Sequence, residues 1–297
     1  MSYQSSLSSP KPYFIGIDSD GTVFNSMEIK HKRVFQPIAI ETWSLQSVRH
    51  EFCAISESIN LYSNHRGVNR FQGLAMAFEQ LAKRATKGDE CVEGHDALQE
   101  FVRSDGSLSY AGLAEYNSVK ENVFLKQVLE WSQRSDERYA EIMDSEGNLP
   151  YSHVQEALER LSDQADIVVV SSSSRETLEK DWGNAGLLPL ITRVEGQEQG
   201  SKSIQLNSAL KDNRSPSNAL MIGDALGDLE AARSHGILFY PITPGEEVLS
   251  WVRFKAEAID RFLEGSYAGD YEQKLVADFE NVLLPTTKVA AEKVPTY

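Results

Sequence analysis

Cysteine is almost missing from this chain of 297 residues, which contains only Cys53 and Cys91. Neither belongs to a CxxC pair or lies at ligand spacing from a histidine. A disulfide framework and a thiolate zinc centre are thereby excluded, and two buried thiols are the expectation. Long apolar runs are missing too: none approaches the roughly 18 residues that a membrane-spanning helix needs. The first dozen residues are polar and Ser-rich, without the apolar stretch of a secretory signal. Positive charge is scarce, with 29 Lys and Arg against 44 Asp and Glu and a formal net charge of −15. No basic patch interrupts that imbalance, so a nucleic-acid backbone or an anionic membrane surface would meet net repulsion, and neither is expected as a partner. The expectation is a soluble, cytoplasmic protein of one large domain or two.

What is present is a set of short apolar runs, each ending in polar or turn residues. Tyr13–Asp18 (YFIGID) reads as a buried strand that opens into a loop. Ile167–Ser171 (IVVVS), Ile191–Val194, Ala219–Ile222 and Leu238–Ile242 read the same way. Helical patterns lie between them. Ser152 and Gln155 have capping-box spacing ahead of Val154, Leu158 and Leu161, and Ser173 with Glu176 repeats it before a helix that Gly186 ends. Leu229–His235 forms another helix, stopped by Gly236. Such alternation predicts a Rossmann-like α/β fold, a parallel sheet in a three-layer α/β/α core that binds ligands at the C-terminal strand ends.

Between the first strand and the rest, residues 26–149 contain almost no strand-type run. Phe71–Ala85 is helical in pattern, and so is Asn122–Tyr139, where Val123, Val128, Leu129 and Trp131 recur near helical spacing. This insertion is expected to form its own all-helical domain, leaving residues 11–25 and 150–250 as the catalytic core. Residues 251–297 read as a C-terminal helical extension and tail. Glu246–Leu263 is amphipathic, with Val248, Trp251, Val252, Ile259, Phe262 and Leu263 on one stripe, and the tail beyond Leu284 is left on the surface or without order.

Chemistry concentrates at the predicted strand ends. Asp18 and Asp20 follow the first strand in Asp18-Ser19-Asp20-Gly21-Thr22; on their own they also fit an Asp-rich turn. Asp224 and Asp228 follow the fourth strand in GDALGD, where Asp228 alone would also suit a helix N-terminus. Hard cations such as Mg²⁺ are commonly held by one or two carboxylates plus waters and substrate phosphate, so these acids suit Mg²⁺. They also make a pocket too negative for phosphate unless something neutralises it. Ser171, with Ser172 behind it, ends the second strand ahead of a helix and suits either a phosphate or a simple cap. Lys202 follows the third strand and suits either the acids or solvent. Within the insertion, Asn64–Arg70 brings Arg66 and Arg70 together with amides, fitting a sugar-like or second anionic group or a solvated loop. Arg175 and Trp182 are weaker candidates of that kind.

The ordered set resembles the haloacid dehalogenase superfamily of phosphohydrolases, in the group of beta-phosphoglucomutases and phosphoglycolate phosphatases. That family's Asp-x-Asp-x-Thr/Val is matched by Asp18–Thr22, its Ser/Thr by Ser171, its lysine by Lys202 and its acidic motif by Gly223–Asp228. The lysine motif is the least specific of the four. The resemblance implies a helical cap of the type called C1 at residues 26–149 and an aspartyl-phosphate mechanism. It makes Asp18 the nucleophile, Asp20 the acid and base, and Asp18, Asp20, Asp224 and Asp228 the Mg²⁺ site. Ser171 and Lys202 would hold the phosphoryl group, with Ser172 and Thr22 beside them as further substrate contacts. Arg66, Arg70 and Arg175 are expected as substrate contacts from their own charge and setting, and the resemblance does not extend to the sequence of the insertion. The implied substrate is a small phosphorylated metabolite, with a sugar phosphate as one option. A phosphomutase shares the same motif set, and a non-catalytic binding protein on this scaffold is the remaining alternative.

Overall fold

The computed structural model describes residues 10–84, 92–210 and 215–284. The chain divides into two compact units, one formed by residues up to Ser26 together with those from Asn148, the other by Met27–Gly147.

The first unit is built on five strands: β1 (Tyr13–Ile17), β2 (Ala165–Val170), β3 (Arg193–Glu195), β4 (Ala219–Gly223) and β5 (Leu238–Pro241). They form one parallel sheet in the order β3-β2-β1-β4-β5. The apolar runs are uninterrupted because both faces are covered. Ile15, Ile17, Ile167, Val169, Leu220 and Ile222 enter the cluster on one face. Phe14, Val168, Val170, Met221 and Phe239 enter the cluster on the other. The architecture is therefore the Rossmann-like α/β fold expected. Successive connections from β1 run to β2 and β3 on one side and then cross to β4 on the other, which opens a crevice at the C-terminal ends of β1 and β4.

Several local expectations are corrected. Ser152 does not cap its helix: Val154–Ser162 begins after His153, which sits in the left-handed region at φ 75°. The helix Arg175–Asn184 is capped by Ser174, which accepts from Thr177 N–H, not by Ser173. The amphipathic segment after β5 is not one regular helix. Glu247–Arg253 runs into wider turns at Phe254–Ala258 and then Ile259–Leu263, so the buried face passes through Trp251, Phe254, Ala258, Ile259 and Phe262. Val248 and Val252 are left exposed, because widened turns shift the angular spacing that a 3.6-residue period assumes. The next helix, Asp270–Leu283, sends Val276, Phe279 and Leu283 into the sheet's second cluster.

The second unit is helical. Its helices include Gln36–Thr42, Arg49–Asn60, Arg70–Arg84, Asp96–Val102, Tyr110–Lys120 and Val123–Glu146. They enclose their own apolar cluster around Phe52, Phe78, Leu98, Phe101, Val128 and Trp131. The longest helix begins at Asn122, whose side chain accepts from Leu125 N–H, while Val123 lies exposed, outside the expected stripe. Cys53 is a free thiol and only partly buried, which corrects the expectation for it; Cys91 and the tail beyond Leu284 lie outside the described residues. Among the described residues, no helix is long and apolar enough to cross a membrane.

Candidate active site

The loop after β1 leaves the sheet at its crevice. Asp18 N–H still donates to Ile222 O of β4, at 3.0 Å, so the first acid is fixed by the sheet's own ladder. The chain then turns at Gly21, whose φ of 79° falls where a side chain is strained. Two indoles clamp this turn. Trp182 Nε1 donates to Ser19 Oγ at 3.1 Å, and Trp251 Nε1 donates to Thr22 O at 2.9 Å. Both tryptophans are fully buried, so Trp182 is a support for the loop and not a substrate contact.

Carboxylate oxygens of Asp18, Asp224 and Asp228 lie within 4.8 Å of one another, and all three residues are buried. One cation faces them: Lys202 Nζ is 2.9 Å from Asp18 Oδ2 and 2.6 Å from Asp228 Oδ1. Burial, only partly offset by Lys202, pushes the Asp18 carboxyl well above its usual range, and neighbouring Asp228 and Asp224 add to the rise. Asp228 is pushed up for the same first reason. Burial lowers the Lys202 pKa, but the two carboxylates outweigh it, push it up and hold the ammonium charged.

Asp228 has both oxygens engaged, Oδ1 by Lys202 and Oδ2 by Ala225 N–H at 3.1 Å. A Cβ on Gly223 would stand 2.4 Å from Asp228 Cβ, so only glycine lets this carboxylate approach the strand end. Thr22, expected at the substrate, instead donates from Oγ1 to Asp224 Oδ1 at 2.6 Å.

Asp20 stands apart from the cluster. Ser173 Oγ donates to its Oδ2 at 2.7 Å, and Ser26 Oγ donates to its Oδ1. Neither serine was singled out for this from the sequence; Ser173 read as a cap and Ser26 as the start of the insertion. Ser171 is buried at the end of β2, its hydroxyl accepting from Ser173 N–H, and Ser172 is exposed.

The arginines are engaged elsewhere. Arg175 has its guanidinium within 3.9 Å of Glu179 and 3.8 Å of Glu195, and its N–H donates to Glu198. Within the helical unit, Arg66 is buried and donates to Leu61 O, and Arg70 pairs with Asp136 at 2.7 Å. Burial closes off Arg66, whereas the side chains of Arg70 and Arg175 stay 31% and 41% exposed beside their carboxylate partners. A cavity of about 20 Å³ beside Arg70, lined by His31, Gln36, Ser56 and Asn60 among others, has room for little more than a water.

Residues 95–242 match the family model of the haloacid dehalogenase-like hydrolases. The chain belongs to this family. The matched span contains Ser171, Lys202, Asp224 and Asp228, and Asp18 and Asp20 precede it. Comparison with curated proteins returns no match. Among solved structures, this haloacid dehalogenase-like hydrolase is similar to a predicted phosphoglycolate phosphatase from Haemophilus somnus at 17% identity, TM-score 0.47, covering 80% of this chain and 86% of that one. It is similar to a protein provisionally named a beta-phosphoglucomutase from Thermotoga maritima at 16% identity, TM-score 0.45, covering 77% and 84%. A hydrolase from Pseudomonas syringae matches at 16% identity, TM-score 0.45, covering 82% and 91%.

The donor set of the site suits a hard divalent cation. Carboxylate oxygens from three buried acids, all within 4.8 Å of one another, form the kind of oxygen set that a hard divalent ion takes.

Proposed function

We propose that this hydrolase is a Mg²⁺-dependent phosphatase that cleaves phosphate monoesters of a small cytoplasmic metabolite. The observation that carries the reading is the buried cluster of Asp18, Asp224 and Asp228, with Lys202 bridging two of them and Asp20 held separately two residues on.

Asp18 is the proposed nucleophile. Its oxygen attacks phosphorus, a bond forms to give an aspartyl-phosphate, and the bond to the ester oxygen breaks. Asp20 gives its proton to the departing alkoxide, then takes one from the water that attacks the aspartyl-phosphate, releasing inorganic phosphate and restoring Asp18. The two acids suit different work because their surroundings differ: Asp18 is buried among charges, whereas Asp20 is aimed by two hydroxyls. Lys202, held charged by Asp18 and Asp228, and the Ser171 hydroxyl hold the transferring oxygens. Mg²⁺, when bound by Asp18, Asp224 and the Asp20 carbonyl, screens nucleophile from substrate and offsets the charge of the transferring group. With both oxygens engaged, Asp228 serves chiefly to place Lys202. The helical unit is proposed as the specificity-bearing cap.

The test is phosphate release from a panel of phosphate esters, with and without Mg²⁺, for the wild type and Asp18→Asn. Wild-type release that requires Mg²⁺ and disappears in the variant is expected. Equal rates from both proteins on every ester would overturn the reading.

A further inference from the structure

We infer that Gln205 is the positioning residue that holds together the loops carrying the phosphate-facing groups, an inference that rests on the phosphatase reading of the site. Gln205 lies on the helix Lys202–Ala209 and is fully buried. Its side-chain Nε2 lies 3.0 Å from Ser171 O, 2.9 Å from Gly196 O and 3.0 Å from Gly200 O. Those carbonyls belong to three different segments: the end of β2 with the Ser171 hydroxyl, the turn after β3, and the residues leading into Lys202. An amide nitrogen has two hydrogens, so three acceptors share them, and one small group ties three chain segments at a single point.

The pattern of the helix singles out this position. Ile204 is 57% exposed while its neighbour Gln205 is fully buried, the reverse of what burial of apolar area favours. Gln205 Oε1 has no hydrogen-bond partner among the described residues, so half of the amide is left unsatisfied in order to deliver the other half. A buried acceptor without a partner is destabilising, and an apolar side chain of the same length would avoid it. What an apolar side chain cannot do is bind the three carbonyls. The work done here is placement: the Ser171 backbone is drawn toward the start of the helix on which Lys202 approaches Asp18.

A consequence separates this role from general support. Ser171 and Lys202 are assigned to the phosphoryl oxygens, whereas Asp18 and Asp224 are fixed by β1, β4 and Thr22. Loosening the Gln205 clasp therefore weakens phosphate binding more than metal binding.

The experiment compares wild type with Gln205→Met and Gln205→Asn, and with Phe279→Leu, which loosens the sheet's second cluster near the opposite edge. The readouts are the inhibition constant of inorganic phosphate, the Mg²⁺ concentration for half-maximal activity, and amide hydrogen exchange at residues 171–173 and 196–202. Loss of hydrogen bonds at a buried position predicts a rise of about tenfold in the phosphate constant for Gln205→Met. The Mg²⁺ midpoint should be unchanged, exchange should be faster in those two loops, and Phe279→Leu should retain the wild-type phosphate constant. Gln205→Asn, which keeps the amide on a shorter stem, should fall between and guards against a Met variant that fails to fold. The inference is overturned if folded Gln205 variants bind phosphate as wild type does, if the Mg²⁺ midpoint shifts as far as the phosphate constant, or if Phe279→Leu has the same effect. A wild type inert on every ester would instead sink the phosphatase reading. Loop exchange would then decide the clasp alone, with unchanged rates refuting it.

Discussion

In the proposed mechanism, Asp20 takes its task from its neighbours. Two hydroxyls, from Ser26 and Ser173, fix the direction of its carboxylate without adding charge. Removing one leaves Asp20 present but less well aimed, so Ser173→Ala should lower kcat by about three- to tenfold with little change in KM. A steady-state comparison checks this; an unchanged kcat would show that Ser173 does not aim the acid. His31 gives a second prediction at this scale. Burial, then the fields of Lys30, Arg66 and Arg70, lower its pKa from 6.5 to about 3. Between those values the unfolded chain binds a proton that the folded chain refuses. Stability attributable to this group is therefore complete above pH 6.5 and is lost as pH falls toward 3, by at most roughly 1.4 kcal/mol per pH unit. Urea unfolding between pH 4.5 and 7.5 should show a shallower slope for His31→Leu than for wild type. Identical slopes would mean that the imidazole does not set the acid sensitivity.

At the scale of elements, four of the five strands were legible because buried parallel strands need continuous apolar runs, and three of those runs lead into a polar residue at the crevice: Asp18 after β1, Ser171 after β2, Asp224 after β4. The expected run Ile191–Val194 gave only the short strand Arg193–Glu195, whose first residue is exposed. The supports of the site were not legible, because their partners are remote in sequence. Trp251 meets Thr22 across 229 positions, and Gln205 meets Ser171 across 34. A glutamine within a helix pattern reads as a solvated side chain, and an amphipathic tryptophan reads as core. Only the folded chain shows which backbone groups they bind. The C-terminal helix carries a similar surprise. β5 is an edge strand, yet its Phe239 N–H donates to Glu272 Oε1 at 2.8 Å, and its Phe239 O accepts from Tyr267 O–H at 2.7 Å. Side chains from the extension thus satisfy backbone groups that an open edge would offer to another chain. Ending the chain after Leu263 should expose β5 and produce aggregates in size-exclusion chromatography with light scattering. A monodisperse, folded product would refute the covering role. Phe279→Ala, which empties the contact with Phe239, should cost about 3–5 kcal/mol in the same unit.

At the scale of the molecule, three apolar clusters stand in one chain, two about the sheet and one in the helical unit, and the helical membership does not mix with the other two. Every buried residue of the helical cluster falls between Val34 and Ile142, and the two sheet clusters draw on residues up to Phe24 or from Val154 onward. A unit that buries its own apolar surface has its own driving force for folding. The aromatic centre of the helical unit is also internally satisfied at one key point, since Trp131 Nε1 donates to Phe35 O at 3.1 Å and Trp43 packs against Phe78 and Phe124. Residues 27–147 produced alone should therefore give a helical far-UV spectrum, a near-UV signal from Trp43 and Trp131, and a single cooperative melt. Loss of the near-UV signal with a broad, featureless melt would show instead that this core depends on the sheet unit for its packing.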